Sequence, residues 1–159
     1  KKNNKLLDIG AYPGGWSQVS SKIISTGKIL SIDIKKMDKL KNVSFLQCDF
    51  LQQRTKEKIL DFFGEKLDVV LSDMAANTTG NKSLDCIRTN KLCADVVEFS
   101  SKILKPNGVL VSKLFMGDDF LEVKELAKSR FKKVDFYKPE ASRSESKETY
   151  IHCAILKTL

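Results

Sequence analysis

Two aspartates in this sequence have the position and chemistry expected of ligand-binding groups. Asp33 closes a hydrophobic run that ends Ser-Ile-Asp, and Asp49 closes the next such run, which ends Gln-Cys-Asp. A carboxylate at the carboxyl end of the second strand of an open α/β sheet can accept hydrogen bonds from ribose hydroxyls. Capping of a turn or a helix explains either aspartate alone equally well. The pair therefore points toward a nucleoside-binding cleft without establishing it.

A glycine-rich turn precedes these aspartates. Asp8 is followed by Gly10 and Gly14, and Trp16 then opens a segment of helical period. Glycines at such a turn let a ligand approach the backbone closely, although a tight connection without a ligand explains a bare glycine turn about as well. The spacing is not that of the dinucleotide fingerprint, because Pro13 intervenes. A nicotinamide-dependent oxidoreductase is therefore disfavoured.

The elements that must position these residues follow from the hydrophobic pattern. Short runs rich in β-branched residues alternate with longer segments of helical period, which is typical of a mostly parallel sheet with helices on both faces. The predicted strands are Lys5–Ile9, Lys28–Asp33, Val43–Gln47, Leu67–Ser72, Val109–Leu114, Lys133–Tyr137 and Thr149–Leu156. The predicted helices are Trp16–Ile24, Thr55–Phe63, Asp85–Leu104 and Asp118–Ser129. The chain of 159 residues is thus predicted to be a single α/β domain.

The segments between these elements carry further information. Lys105–Gly108 contains a proline and a glycine and is predicted to break the chain between a helix and the next strand. Only the polar segment 138–147 separates the last two strands, so they can pair as an antiparallel edge. The irregular segment Met74–Leu84 follows a strand end, where open α/β sheets place their sites.

Four motifs of the sequence resemble the FtsJ/RrmJ family of RNA 2′-O-ribose methyltransferases, and they occur in the family's order. The motifs are Asp8–Gln18, Ser72–Asn77, Ser112–Gly117, and Lys138–Arg143 together with Ser146–Tyr150. The resemblance covers nearly the whole chain. It implies a Rossmann-like class I methyltransferase fold, with a seven-stranded, mostly parallel sheet whose last strand is antiparallel.

The resemblance also implies a cofactor and the residues that bind it. Members of this family use S-adenosylmethionine as the methyl donor and release S-adenosylhomocysteine. No metal is implied. The residues expected to bind the cofactor are Asp8, Gly10, Gly14, Trp16, Asp33, Asp49 and Asp73.

The family's catalytic set is Lys-Asp-Lys-Glu, and its last three members correspond to Asp73, Lys113 and Glu148. A sulfonium methyl group is already activated, so the enzyme has mainly to align the ribose oxygen and assist loss of the hydroxyl proton. Lys113 can act as a neutral amine that takes the proton, or as an ammonium that stabilises the alkoxide. We predict that Lys113 is the general base and that Asp73 and Glu148 position it. The alternative is a lysine that merely extends into solvent at a sheet edge.

The sequence departs from the family pattern at two points. The family's first catalytic lysine lies well before the glycine loop, whereas seven residues precede Asp8 in this chain. Lys1, Lys2 and Lys5 lie too close to the loop to replace that lysine, so we expect the segment that carries it to be absent. The chain would then bind the cofactor well and transfer the methyl group poorly. Ala76 stands where family members often carry proline, which should loosen the loop.

The formal net charge of +8 favours a polyanionic partner, although lysine-rich surfaces also serve solubility. By the resemblance, that partner is RNA, with a uridine of large-subunit ribosomal RNA as the expected target. We expect Lys138, Arg143 and Lys147 to contact it, because their loop adjoins Glu148 and an arginine can bind phosphate with two hydrogen bonds. The lysines of 35–41 are expected to be solvated surface.

Other features of the composition restrict the class of protein. No apolar run approaches the roughly 18 residues of a membrane span, and the sequence shows no export signal. The four cysteines lack the pairing of a zinc site, and His152 is the sole histidine. We expect free thiols in a cytoplasmic protein that is a monomer.

Three alternative functions remain open from the sequence. The chain can be a catalytically weak or inactive RNA-binding factor of ribosome assembly that still binds the cofactor. It can also be a transfer RNA 2′-O-methyltransferase. A class I methyltransferase acting on a small molecule or a protein is disfavoured by the basic charge and by the presence of Asp73, Lys113 and Glu148.

Overall fold

The computed structural model describes residues 1–158, which form a seven-stranded sheet and four helices. The strands are β1 Lys5–Ile9, β2 Lys28–Asp33, β3 Ser44–Gln47, β4 Leu67–Ser72, β5 Leu104–Phe115, β6 Phe131–Tyr137 and β7 Glu148–Leu156. The helices are α1 Gly15–Ile23, α2 Gln53–Phe63, α3 Lys82–Ile103 and α4 Phe120–Arg130. Every predicted element is present, and all bounds except the start of β5 lie within 3 residues of the prediction.

The strand order in the sheet is β3-β2-β1-β4-β5-β7-β6. The pairs from β3 to β5 are parallel, whereas β7 is antiparallel to both of its neighbours, β5 and β6. The predicted sheet with an antiparallel last strand is therefore confirmed. The chain first adds strands outward from β1 in one direction and then from β4 in the other, so the order reverses between β1 and β4.

Helices cover both faces of the sheet, because alternate residues of a strand point to opposite sides. On one face, Leu7 and Leu110 belong to a large buried cluster that includes side chains of α2, α3 and α4. On the other face, Leu6 and Ile29 pack against Ile24, which directly follows α1. Burial of these apolar side chains fixes which face of each strand points toward which helices.

The predicted break at 105–108 is wrong, because this segment continues β5. Leu104 pairs with Leu67, and Val109 pairs with Val69, so four residues of β5 lie opposite the single residue Asp68. Nζ of Lys105 binds Oδ1 of Asp68 at 2.7 Å. The ion pair holds the segment beside β4, and a shift in the pairing register accommodates the extra residues.

The remaining features of the fold concern the cysteines, the apolar character of the helices and clusters of potential metal ligands. All four cysteines are free, three of them buried and Cys48 half-buried. Within residues 1–158, no helix is both long enough and apolar enough to span a bilayer. The same residues contain no group of three or more histidine, cysteine or acidic side chains arranged to hold a metal ion.

Candidate active site

A cleft opens at the carboxyl ends of the strands, where the strand order reverses between β1 and β4. Open α/β sheets bind ligands at this point, because the connections that follow the two strands leave the sheet on opposite sides. The cleft has a volume of about 740 Å³. Four of the predicted cofactor residues line it, namely Gly10, Asp33, Asp49 and Asp73. They follow or end β1, β2, β3 and β4 respectively.

Backbone N–H groups hold the carboxylates of Asp33 and Asp49 at the cleft. Oδ2 of Asp33 accepts a hydrogen bond from the N–H of Tyr12 at 2.9 Å, and its Oδ1 accepts one from the N–H of Lys35 at 2.8 Å. Oδ1 of Asp49 accepts a hydrogen bond from the N–H of Leu51 at 2.9 Å. Both aspartates therefore stabilise turns. Because a carboxylate has about four acceptor positions, each retains capacity for ligand hydroxyls.

Gly10 lies where the ends of β1 and β4 approach each other. Its φ is +70°, a conformation that glycine adopts at low cost. A Cβ atom at this position would lie 2.7 Å from Cγ of Met74. Because Met74 directly follows Asp73, a larger residue at position 10 would displace the segment that carries Asp73. The close contact between position 10 and Met74 thus requires glycine here, whether or not a ligand is bound.

Asp8, a predicted cofactor residue, lies outside the lining of the cleft. It is fully buried, and its Oδ2 accepts a hydrogen bond from Oγ of Ser17 at 2.5 Å. Oγ of Ser17 also lies 2.6 Å from Oγ of Ser31. Oδ1 of Asp8 has no hydrogen-bond partner among the described residues. Burial raises the pKa of Asp8 to about 6, although the Ser17 hydrogen bond opposes the shift.

Gly14 and Trp16 also lie outside the lining of the cleft. Gly14 precedes α1 with a φ of +117°, and a Cβ atom there would lie 3.0 Å from Sδ of Met37. The ring of Trp16 packs against that of Tyr150, with 5.5 Å between centroids. Four of the seven predicted cofactor residues therefore line the cleft and three do not, and the part of all seven in cofactor binding stays a prediction.

The three predicted catalytic side chains meet beside the cleft, because β5 pairs with β4 on one side and with β7 on the other. Nζ of Lys113 lies 3.1 Å from Oδ1 of Asp73 and 3.7 Å from Oε2 of Glu148. The Lys113 side chain is 13% exposed, so its amine is enclosed and does not extend into solvent. The catalytic role of the three residues stays a prediction, whereas their assembly is a property of the fold.

Tyr150 joins these three residues, and the sequence reasoning did not identify it. Its hydroxyl donates to Oδ1 of Asp73 at 2.9 Å, and Oε1 of Glu148 lies 3.3 Å away. Burial and then the neighbouring carboxylates raise the pKa of Tyr150 above its ordinary value, so the phenol remains a donor. The signal that could have found it is strand alternation, because residues 148 and 150 of β7 share one face.

Comparisons with known proteins decide the family. A model of the FtsJ-like methyltransferase family matches residues 1–156. The chain belongs to this family. The FtsJ-like chain is 43% identical over 157 residues to ribosomal RNA large subunit methyltransferase E of Pelagibacter ubique, across 99% of this chain and 77% of that protein. It is 46% identical over 155 residues to the protein of the same name in Rickettsia akari, across 94% of this chain and 68% of that protein.

Solved structures share the fold of the FtsJ-like chain. A crystal structure from Plasmodium falciparum, assigned to the ribosomal RNA methyltransferases, has a TM-score of 0.86 at 30% identity and covers 98% of this chain and 88% of its own. A Streptococcus mutans structure in complex with S-adenosylhomocysteine has a TM-score of 0.65 at 16% identity, with the same coverage. The predicted class I methyltransferase fold is therefore confirmed, and S-adenosylmethionine is the cofactor that this family and fold imply.

The loop 138–147 of the FtsJ-like chain connects β6 to β7 and contains the predicted RNA-binding residues. Nζ of Lys138 donates to the C=O groups of Ser144 and Ser146 at 3.2 and 2.7 Å, so this side chain stabilises its own loop. Arg143 and Lys147 are exposed. Two of the three predicted RNA-binding side chains are therefore available to a partner, whereas that of Lys138 is occupied.

Proposed function

We propose that this FtsJ-like methyltransferase transfers a methyl group from S-adenosylmethionine to a ribose 2′-hydroxyl of RNA, with Lys113 as the general base. We propose large-subunit ribosomal RNA as the substrate and a uridine as the target nucleotide. The observation that carries the proposal is the position of the Lys113 amine between the carboxylates of Asp73 and Glu148, beside the cleft. Action on a 2′-hydroxyl would make the enzyme selective for RNA over DNA.

The chemistry of the cleft fits S-adenosylmethionine. Asp33 and Asp49 offer carboxylate oxygens to ribose hydroxyls. Asp73 offers a negative charge to a cationic group, and Leu51 and Met74 offer apolar surface to a base. When bound, this cofactor supplies a methyl group that is activated by its positively charged sulfur, and it leaves as S-adenosylhomocysteine.

Lys113 performs the proton transfer in the proposed reaction. Its neutral Nζ accepts the proton of the ribose hydroxyl as that oxygen gains the methyl group, and it becomes an ammonium. The carboxylates of Asp73 and Glu148 then lie 3.1 and 3.7 Å from the new charge and stabilise it. Tyr150 holds Asp73 in place through its hydroxyl.

Two observations support RNA as the substrate. The similar proteins of Pelagibacter ubique and Rickettsia akari are named as large-subunit ribosomal RNA methyltransferases. The chain carries a formal net charge of +8, which favours contact with a polyanion. Arg143 and Lys147 lie exposed in the loop that leads into β7, so they can contact phosphates on either side of a ribose placed at Lys113.

The test is transfer of tritium-labelled methyl groups to large ribosomal subunits, free large-subunit ribosomal RNA and transfer RNA. We expect wild-type protein to label the ribosomal substrate, and alkali-resistant dinucleotides to identify a ribose product. Lys113→Ala should lower the rate by roughly 100-fold or more, as expected for loss of a general base. The matched control is Lys105→Ala, since Lys105 lies on the same strand and is also ion-paired, but at the opposite end of the sheet.

Three results would contradict the proposal. Methylation of a base would refute the site assignment, and an unchanged rate in Lys113→Ala would remove the proposed general base. Binding of the cofactor without transfer to any RNA would favour the inactive RNA-binding factor. Labelling of transfer RNA alone would leave the chemistry intact and change the substrate class.

A further inference from the structure

Two adjacent polar side chains, Thr89 and Asn90, are buried in α3. Thr89 is 1% exposed and Asn90 is 0% exposed. Cys86 and Cys93, one turn away on either side, are buried as well. Burying a hydroxyl or a carboxamide is unfavourable unless its polar atoms are hydrogen-bonded, and packing alone would be served by a valine or leucine of similar shape. The hydrogen bonds of these two side chains therefore indicate what their polar atoms contribute.

The carboxamide of Asn90 binds the end of β5. Its Nδ2 donates to the C=O of Phe115 at 2.9 Å, and its Oδ1 accepts from the N–H of Phe115 at 2.8 Å. Nδ2 also donates to Oδ1 of Asp119, directly before α4, at 2.8 Å. Pairing between β4 and β5 ends with Ser72 opposite Ser112, so Phe115 lies beyond the neighbouring strand. The side chain of Asn90 takes the place of the absent strand partner.

Thr89 makes a corresponding contact to the chain that leaves β4. Its Oγ1 accepts a hydrogen bond from the N–H of Ala76 at 3.1 Å. Residues 73–81 form neither helix nor strand, so the contact with Thr89 helps to fix their path. Consecutive residues of one helix therefore bind the chain just beyond Asp73 and just beyond Lys113.

We propose that Thr89 and Asn90 are positioning residues that set the separation of Asp73 and Lys113 for methyl transfer. The hydrogen bonds of α3 hold the two side chains at a fixed spacing, so the two strand ends that they bind are held at a fixed spacing as well. Nζ of Lys113 lies 3.1 Å from Oδ1 of Asp73, and a shift of about 1 Å would break that contact. The inference rests on the proposed function, because it assigns these residues a part in that reaction.

The test compares Asn90→Leu, which approximately keeps the volume and removes the polar atoms, with Ser100→Ala as a matched control. Ser100 lies on the same helix, is fully buried, and its hydroxyl has no partner within the described chain. For Asn90→Leu we expect kcat to fall by roughly 100-fold, the loss that a misplacement of about 1 Å can cause. Calorimetric affinity for S-adenosylhomocysteine should not change, because Phe115 does not line the cleft. Ser100→Ala should match wild type in both measurements.

Further variants separate positioning from general loosening of the helix. Asn90→Asp combined with Asp119→Asn restores a hydrogen bond between the two positions with donor and acceptor reversed, and it keeps an acceptor for the N–H of Phe115. We expect the pair to recover part of the kcat that Asn90→Asp alone loses. The loss of kcat in Thr89→Val combined with Asn90→Leu should be smaller than the sum of the losses in the two single variants. Releasing either strand end already allows the distance between Asp73 and Lys113 to change.

Nuclear magnetic resonance of carbon-labelled lysine Cε groups, which are visible whether the amine is neutral or charged, gives a readout that does not require methyl transfer. The Lys113 signal, identified by its loss in Lys113→Arg, should shift in Asn90→Leu and stay in place in Ser100→Ala. An unshifted signal with wild-type kcat in folded Asn90→Leu would overturn the inference, as would equal losses of kcat in Asn90→Leu and Ser100→Ala. If wild-type protein methylates no RNA, the proposed function fails, and the Lys113 signal still tests whether Asn90 positions that residue.

Discussion

Asp8→Asn removes the charge of a fully buried side chain and keeps its shape. The asparagine carbonyl can still accept the hydrogen bond that Ser17 donates at 2.5 Å. In wild type, an ionised Asp8 would leave Oδ1 without a partner among the described residues. Burial of a charge without a partner destabilises a fold more than burial of a neutral amide. We therefore predict that Asp8→Asn is more stable than wild type at neutral pH.

The magnitude follows from the pKa of Asp8. Burial raises it to about 6, against about 3.9 in an unfolded chain. Between these values the folded state binds the proton more tightly, so the contribution of Asp8 to the free energy of unfolding falls as the pH rises through this window. Two pKa units correspond to about 3 kcal/mol. The stability difference between Asp8→Asn and wild type should therefore grow by about 2 kcal/mol between about pH 4 and pH 7, out of about 3 kcal/mol over the whole titration.

Urea unfolding followed by the fluorescence of Trp16, the single tryptophan, measures this difference at each pH. Asp68→Asn is the control, because its stability relative to wild type should change with pH in the opposite direction. Burial raises the pKa of Asp68, but its hydrogen bonds with Lys105 and the N–H of Lys5 lower it by more. Asp68→Asn should therefore lose stability relative to wild type as the pH rises toward neutrality. A stability difference between Asp8→Asn and wild type that is the same at every pH would refute a raised pKa for Asp8.

Three further predictions concern the cleft and the substrate. Gly10→Ala should lower the free energy of unfolding by about 1–3 kcal/mol in urea unfolding. The alanine Cβ would lie too close to Met74, and the φ of +70° at this position is unfavourable for alanine. An unchanged free energy of unfolding would show that the ends of β1 and β4 can move apart without cost. Tyr150→Phe should lower kcat about tenfold, equivalent to about 1.4 kcal/mol, and leave the affinity for S-adenosylhomocysteine unchanged; a loss of affinity alone would place the hydroxyl in cofactor binding. Replacing Arg143 and Lys147 with alanine should reduce the slope of log affinity for RNA against log salt by roughly 1–2, and an unchanged slope would place the RNA elsewhere.

The central strands could be predicted because they are buried and therefore read as apolar runs. β2 is an example, with four consecutive buried residues after Lys28. The start of β5 could not be predicted, because Pro106 and Gly108 are strong local breakers. The interaction that overrides them, between Lys105 and Asp68, joins residues 37 apart in the chain. Local pattern carries no information about such a contact.

For the candidate site too, the sequence identifies some features and leaves others to the three-dimensional structure. The family motifs contain Asp73, Lys113 and Glu148, but their meeting depends on the register of β5 against its two neighbours. Asp8 belongs to the glycine-loop motif, and yet it is fully buried and does not line the cleft. Its direction follows from strand alternation, because residues 6 and 8 share a face of β1 and Leu6 belongs to the cluster that includes Ile24 after α1. Membership of a motif therefore does not show whether a side chain lines the cleft.

Thr89 and Asn90 of α3 show what a sequence pattern can and cannot predict. The helical period of its buried residues extends back from Val97 and Cys93 to Asn90 and Thr89, so the sequence alone could place both polar side chains in the core. Such side chains need hydrogen-bond partners, which the sequence cannot identify. The contact with Asn90 is possible because β5 continues past the end of β4, so that no residue of β4 pairs with Phe115 on that side. In this chain the covering helix supplies those hydrogen bonds, and the proposed control of the spacing between Asp73 and Lys113 follows from that contact together with the one from Thr89 to Ala76.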